Sequence, residues 1–354
     1  MSIHNKYLVG ILTLLAISII PNTFALSSTA NEERTAKLIA GAKKEGKMLL
    51  YTGLELGHAL TFINKFQEKY PFIKVEVYRT GADKLPARII AEAGAGKLPA
   101  DVITVSAVEV NHLKKRGIIQ KYNSPEMANF PANAKDPDGY WVSLYEQWNI
   151  LGYNTKLIAP KDVPRNYEDL LNPRWKGKIA LDGKEIRWFA ALEYVWGKEK
   201  WQNFMRRYGQ QEIILRNGKT LLAQLLAAGE FAFSTPLYTT GTEGMKNMGA
   251  PVETVLLDPM IILQHPIIVS STAPNPNSAQ LFVDFMLSDE GRDLVISVGR
   301  IPSKPADIAK VHPGLKGRKI PPKIPISPKM AQDIADNAKE LQAQFGSYFG
   351  KVKQ

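Results

Sequence analysis

The chain has 354 residues, 45% of them hydrophobic, with 45 Lys and Arg against 34 Asp and Glu and no cysteine. That apolar content and charge balance exclude a disordered chain, and the missing cysteine excludes a disulfide scaffold, a thiolate metal site and a Cys nucleophile. The length suffices for two ordinary domains, and the formal +11 first directs attention to anionic partners.

Residues 1–25 read as a cleaved signal peptide. Lys6 supplies the positive start, Leu8 to Ile20 an apolar run, Pro21 a break, and Thr23-Phe24-Ala25 small residues at the cleavage positions. The run is short of the roughly 20 apolar residues that span a bilayer. With no cysteine for lipid attachment, an exported, unlipidated protein of the periplasm is expected.

The spacing then predicts helix over Glu32–Lys47, strand over Met48–Tyr51, and helix where Ala59, Phe62, Ile63 and Phe66 recur. Ile73, Val75 and Val77 alternate as a strand. A helix from about Ala82 to Ala95, a strand over Asp101–Val105 and a helix over Val108–Lys115 ending at Gly117 follow. Trp141 to Tyr153 reads as a half-buried strand whose alternation puts Trp141 and Tyr145 on one face and Trp148 on the other. Further on, strands are predicted at Lys178–Leu181, Glu212–Leu215, Phe231–Phe233, Val252–Leu257 and Ile261–Val269. Helices are predicted at Trp188–Trp196, around Trp201–Met205, at Leu221–Ala228 and at Ser278–Met286. Ser288 is placed to cap the next helix, and Ser327-Pro328 to start the last one. Strands alternating with helices imply an α/β protein with parallel sheets covered on both faces. The units are too many for one compact sheet, so two Rossmann-like lobes are expected, with ligands beyond the carboxyl ends of the strands.

Several stretches occur in the order of a known family. They are Ala42-Lys43-Lys44-Glu45-Gly46-Lys47 running into Leu49-Leu50-Tyr51-Thr52-Gly53, Phe66-Gln67-Glu68-Lys69-Tyr70-Pro71, Lys97-Leu98-Pro99-Ala100-Asp101-Val102, Gly152-Tyr153-Asn154-Thr155-Lys156-Leu157, Trp175-Lys176-Gly177-Lys178-Ile179, and Ala273-Pro274-Asn275-Pro276 leading into Phe282-Val283-Asp284-Phe285 and Ser288-Asp289-Glu290-Gly291. On these the chain resembles a type II extracellular solute-binding protein of an ABC importer, in the ferric-iron-binding-like branch. The resemblance implies two lobes joined by a two-crossing hinge, near Leu144–Ile150 and Pro259–His265. Lobe I would take 26–144 plus 262–308, and lobe II 145–261 plus 309–354. It further implies lobes that close on a solute and a closed form that docks on an inner-membrane permease.

Iron-binding members use a His after the first strand, a carboxylate after the third and adjacent tyrosines in the second lobe. This chain has Glu55, Ser106-Ala107 and Leu237-Tyr238 there. A remodelled ferric site would draw on Glu55, Tyr238 and His265. The alternative is an anionic or zwitterionic organic ligand. Thr52, Gly53, Thr80, Gly81 and Ser106 would offer hydroxyls and N–H groups after first-lobe strands. Tyr145 and Gln147 lie at the hinge. Arg187, Arg216 and Asn217 follow second-lobe strands and could fork onto an anion, with Tyr238 adding a phenol. Glu55 would favour a ligand that also carries an amine. No cofactor is expected. Catalysis is not expected either, because thiaminase-like members use the cysteine this chain lacks. His58 and His112 read as helix surface.

The positive charge is local. Arg300 to Met330 holds eight basic residues against Asp307 alone, with seven prolines, and reads as an extended, solvated strap. It lacks aromatics, so no nucleic-acid partner is expected. A monomer serving a small ligand and a permease is the expectation.

Overall fold

A computed structural model describes residues 23–350 apart from 82, 83 and 307. Residues 1–22 of the expected signal peptide lie outside the described residues, and the first helix runs Thr23–Glu45. Eleven strands occur among the described residues: β1 Lys47–Thr52, β2 Lys74–Arg79, β3 Val102–Thr104, β4 Val142–Asn154, β5 Ile179–Asp182, β6 Ile214–Arg216, β7 Phe233–Tyr238, β8 Val252–Val255, β9 Met260–Val269, β10 Ile301–Pro302 and β11 Lys323–Pro325. Their order is β2-β1-β3-β9-β4-β7-β5-β6, with β8 and β10 also on β4 and β11 on β9.

The ends of this sheet are parallel and its centre is not. β1 pairs parallel with β2 and β3, and β5 parallel with β6 and β7. β4 and β9 run antiparallel to each other, with Tyr145 opposite His265 and Trp148 opposite Ile262. The carboxyl half of β9 joins β3, while the carboxyl half of β4 joins β7 and β8. Two α/β lobes are therefore joined by two crossing strands.

Each lobe has a core on both faces of its sheet, set by the period-2 alternation of strands. In the first lobe Met48, Leu50, Val102 and Ile267 face Phe62, Phe66, Phe282 and Phe285, whereas Tyr51, Ile103 and Ile268 face Leu85, Ile89 and Leu113. In the second lobe Ile179, Leu181, Phe233 and Ile261 face Trp188, Trp201 and Phe204, whereas Ile150, Ala180, Leu237 and Ile262 face Leu222 and Leu226. Each such aliphatic or aromatic side chain contributes roughly 1.5–3 kcal/mol on burial.

β4 departs from the half-buried reading. All but Gln147 of its residues are buried, because helices or strands cover both sides. Trp141 and Tyr145 fall in different cores. A register shift between Ser143 and Tyr145 breaks the parity that plain alternation assumes.

The strap reading is also corrected. Arg300 and Lys304 are buried. Lys304 pairs with Glu126 and Asp289 at 3.0 and 2.9 Å. Lys323, on β11, lies 2.9 Å from the buried Glu146 of β4. Much of the charge in this segment thus anchors it across the crossing strands. Beyond it, the helix Pro328–Asp336, capped by Ser327 Oγ on Met330 N at 3.2 Å, packs on both Ile186–Trp196 and Ala107–Lys115. Among the described residues no helix is long and apolar enough to cross a membrane.

Ser288 caps the helix Asp289–Ser297 as its position predicts, accepting from Gly291 N at 3.3 Å and donating to Phe285 O at 2.7 Å. Ser288→Ala is expected to lower stability by about 1 kcal/mol. Urea unfolding checks this, and an unchanged midpoint would show that the cap is idle.

Candidate ligand cleft

The parallel strands of each lobe point their carboxyl ends at the groove between the lobes, so the turns that follow them converge. β5 leads through Gly183 into the helix Ile186–Trp196, β6 through Gly218 into Lys219–Ala228, and β7 directly into Thr239–Asn247. In the first lobe β1 leads through Glu55 into Leu56–Lys69. These turns line a cavity of about 1330 Å³ with Glu55, Gln147, Arg187, Lys219, Tyr238 and Arg300 on its walls.

Three groups of charge stand out on its walls, which also carry Asp182, Lys184 and Glu243. Lys219 Nζ lies 2.6 Å from Glu185 Oε2, donates to Asn149 Oδ1 at 3.2 Å and sits 3.9 Å from the centre of the Tyr238 ring. Glu185 also caps its own helix through Trp188 N at 3.1 Å. Burial pushes the Glu185 carboxyl up, but Lys219 and Arg187 outweigh it and hold it below the usual carboxylate range.

Arg187, in the first turn of the same helix, is exposed and forms no hydrogen bond or ion pair among the described residues. It is within electrostatic reach of Glu185, Tyr238 and Glu109. Glu109 comes from the other lobe, where burial raises its carboxyl against the pull of Ser106 and Arg187.

Arg300 is the third group. Its guanidinium lies over the Tyr145 ring at 4.6 Å, donates through Nε to His58 Nδ1 at 3.2 Å and through Nη2 to Glu55. Its Nη1 is buried and has no partner among the described residues. Tyr145 is in turn stacked on His265, centroids 4.4 Å apart and planes within 8°. His265 Nε2 is 2.7 Å from Gln147 Oε1. Burial and the nearby Arg300 and Arg187 keep His265 neutral, well below the ordinary histidine value, and burial raises the Tyr145 phenol to about 12.

Of the residues singled out from sequence, Glu55, Gln147, Arg187 and Tyr238 are on the cavity wall, with Tyr145 and His265 beneath Arg300. The others are turned to local tasks. Thr52 is buried, 2.6 Å from Thr104 Oγ1, and accepts from Leu54 N at 3.0 Å. Ser106 donates to Glu109. Arg216 donates to the Leu215 carbonyl at 2.9 Å. Gly53, Thr80, Gly81 and Asn217 are absent from the lining. Lys219 and Arg300 have no candidate role in the sequence, Glu185 lies within the candidate turn Asp182 to Arg187, and His58 is part of the Arg300 cluster rather than idle surface. No group of three or more His, Asp or Glu among the described residues is placed to hold a metal ion.

A family model described as bacterial extracellular solute-binding protein matches residues 61–307. Iron uptake protein A1 of Synechocystis sp. is 25% identical over 248 residues, covering 61% of this chain and 64% of that protein, a little under two thirds of its length. Iron-bound HitA from Pseudomonas aeruginosa superposes with a TM-score of 0.71 at 22% identity, covering 85% of this chain and 99% of that one. AfuA from Actinobacillus pleuropneumoniae, with fructose-6-phosphate bound, gives 0.64 at 20% identity, covering 86% and 98%.

Proposed function

The chain belongs to the bacterial extracellular solute-binding proteins, and from that premise we propose that it captures a small anionic or zwitterionic organic solute between its lobes and delivers it to an inner-membrane ABC permease. The fold is that of the type II periplasmic binding proteins, and the work is placed in the periplasm, on a monomer. The observation that carries the ligand class is Arg187, a cation on the cavity wall with no ion pair or hydrogen bond among the described residues. Arg300, whose Nη1 has no partner among the described residues, and Lys219 stand around the same space, each beside a carboxylate, Glu55 and Glu185. An anion there gains charge-assisted bonds from both lobes, and only such two-sided contact favours a closed form. The cleft, at about 1330 Å³, is larger than an ordinary small-molecule pocket and leaves room for an organic solute. The structural neighbour AfuA, with its sugar phosphate, supports such a ligand on this fold.

A second reading, ferric iron or its chelate, is favoured by the names of the iron-binding relatives and by the Tyr238 phenol on the wall. Phenolate and carboxylate oxygens suit a hard ion. A bare ferric ion at Glu55 would have to displace Arg300, and His265 already meets Gln147. A thermal-shift screen of carboxylates, phosphonates, sugar phosphates, amines and ferric citrate separates the readings. Organic anions are expected to raise the melting temperature. A rise with ferric iron alone, together with a visible tyrosinate charge-transfer band, would replace the organic solute with iron.

A further inference from the structure

The pair formed by Glu55 and Arg300 is unequal. The Glu55 side chain is 65% exposed and that of Arg300 only 4%. Arg300 is fixed from several sides, by the Tyr145 ring beneath it and by His58 at Nε, while β10 follows it directly and pairs with Tyr145 and Glu146. Glu55 has no comparable hold. It stands at the N-cap of the helix Leu56–Lys69, yet its side chain makes no cap hydrogen bond. Its other neighbour is His58 Nδ1 at 3.2 Å. If the pair opens, Glu55 can turn to water at small cost, whereas a buried guanidinium without an anion is strongly unfavourable. Arg300 therefore needs a counter-ion, and Glu55 is the replaceable member. The guanidinium is also only partly used: a single oxygen of Glu55 takes Nη2, and Nη1 has no partner among the described residues. A planar or tetrahedral anion with two acceptor oxygens would use both nitrogens at once, the bidentate geometry for which a guanidinium is built.

We propose that Glu55 is the resident counter-ion of the cleft and its specificity-determining residue, displaced from Arg300 by a ligand whose anionic group has two acceptor oxygens and can take Nη1 and Nη2 together. This rests on the organic-anion reading of the same cavity. Neutral ligands and single-atom anions would gain too little to displace Glu55, so the pair sets a threshold on what enters. The role is opposite to that of an acceptor for a ligand amine, which Glu55 would suggest by its charge alone.

Isothermal titration of wild type, Glu55→Gln and Glu55→Ala with inorganic phosphate, citrate and O-phosphoethanolamine tests it. Both variants are expected to bind phosphate and citrate more tightly, by about tenfold or more, because no carboxylate has to be displaced from a buried guanidinium that then lacks an anion. O-phosphoethanolamine should gain equally. Both variants leave the buried Arg300 without its carboxylate, so both should melt below wild type in the absence of anion and recover towards it when phosphate is added, and this is measured alongside. Unchanged phosphate and citrate affinity overturns the proposal while leaving the organic-anion reading intact. Selective weakening of O-phosphoethanolamine also overturns it and makes Glu55 an amine acceptor. If no protein binds any of the three anions, the proposal and the reading beneath it both fail.

Discussion

Arg187→Met is expected to weaken binding of the tightest organic anion found by the thermal-shift screen by roughly 30- to 1000-fold, about 2–4 kcal/mol. The magnitude follows from its place. Arg187 is the second residue of the helix that follows β5 and has no bonded partner among the described residues to compete for its guanidinium. Met keeps the stem and removes the fork, so packing changes little and the charge-assisted bonds are lost. Lys219 cannot substitute, because Glu185 and Asn149 already occupy it. The same exposure that frees Arg187 for a ligand predicts that stability changes by no more than about 0.5 kcal/mol. Affinity by titration calorimetry and stability by urea unfolding read the two separately. Affinity within threefold of wild type would take Arg187 out of the binding site. Arg187→Lys should recover only part of the loss, since an ammonium offers a point charge and no planar pair of donors.

The alternation and helical spacing of the sequence carried most of the elements, because both lobes bury apolar residues at regular periods. Met48, Leu50, Val102 and Ile267 share one face as their periods require. What the periods miss is long-range. The bulge at Ser143 separates Trp141 from Tyr145, and the antiparallel centre follows from two strands that belong to both lobes. The same limits hold for the cleft. Arg187 was legible because it follows a strand, and helix starts after parallel strands face one edge, whereas Glu55 and Tyr238 were reached through positions that the family resemblance matched. Lys219 follows β6 as well, but whether Arg216, Asn217 or Lys219 reaches the groove depends on the turn at Gly218, whose φ of +95° has no pattern in hydropathy. Thr52 sits at a strand end too, yet its hydroxyl has a nearer partner on β3. Arg300 was hidden by its neighbours in a basic, proline-rich run. Composition reads such a run as solvated, and only the packing of β10 on β4 shows a guanidinium over Tyr145.

Glu185→Ala is expected to destabilise the protein by about 3–5 kcal/mol at pH 7, because it leaves the Lys219 ammonium buried with no carboxylate. The two side chains are only 10% and 12% exposed, and Nζ to Oε2 is 2.6 Å. Asn149 Oδ1, at 3.2 Å, cannot neutralise the charge that remains, and the cap on Trp188 N is lost as well. Replacing both members, Glu185→Leu with Lys219→Met, should restore most of the stability, since a buried pair is worth little over well-packed apolar groups. The pH dependence carries its own sign. Glu185 titrates below its unfolded value near 4.3, so its contribution is complete above that pH and is lost as the pH falls through the folded value. Burial alone would lower Lys219, but Glu185 and Tyr238 raise it, so its contribution is complete below about pH 10.4 and is lost above the folded value. The gap between wild type and Glu185→Ala should therefore be flat between about pH 5 and 10 and shrink on either side. Urea midpoints at pH 3, 5, 7 and 10 measure it. A gap under about 1 kcal/mol at pH 7, or one that persists in full at pH 3, would show that the Lys219 charge does not depend on Glu185 for its place in the cleft wall.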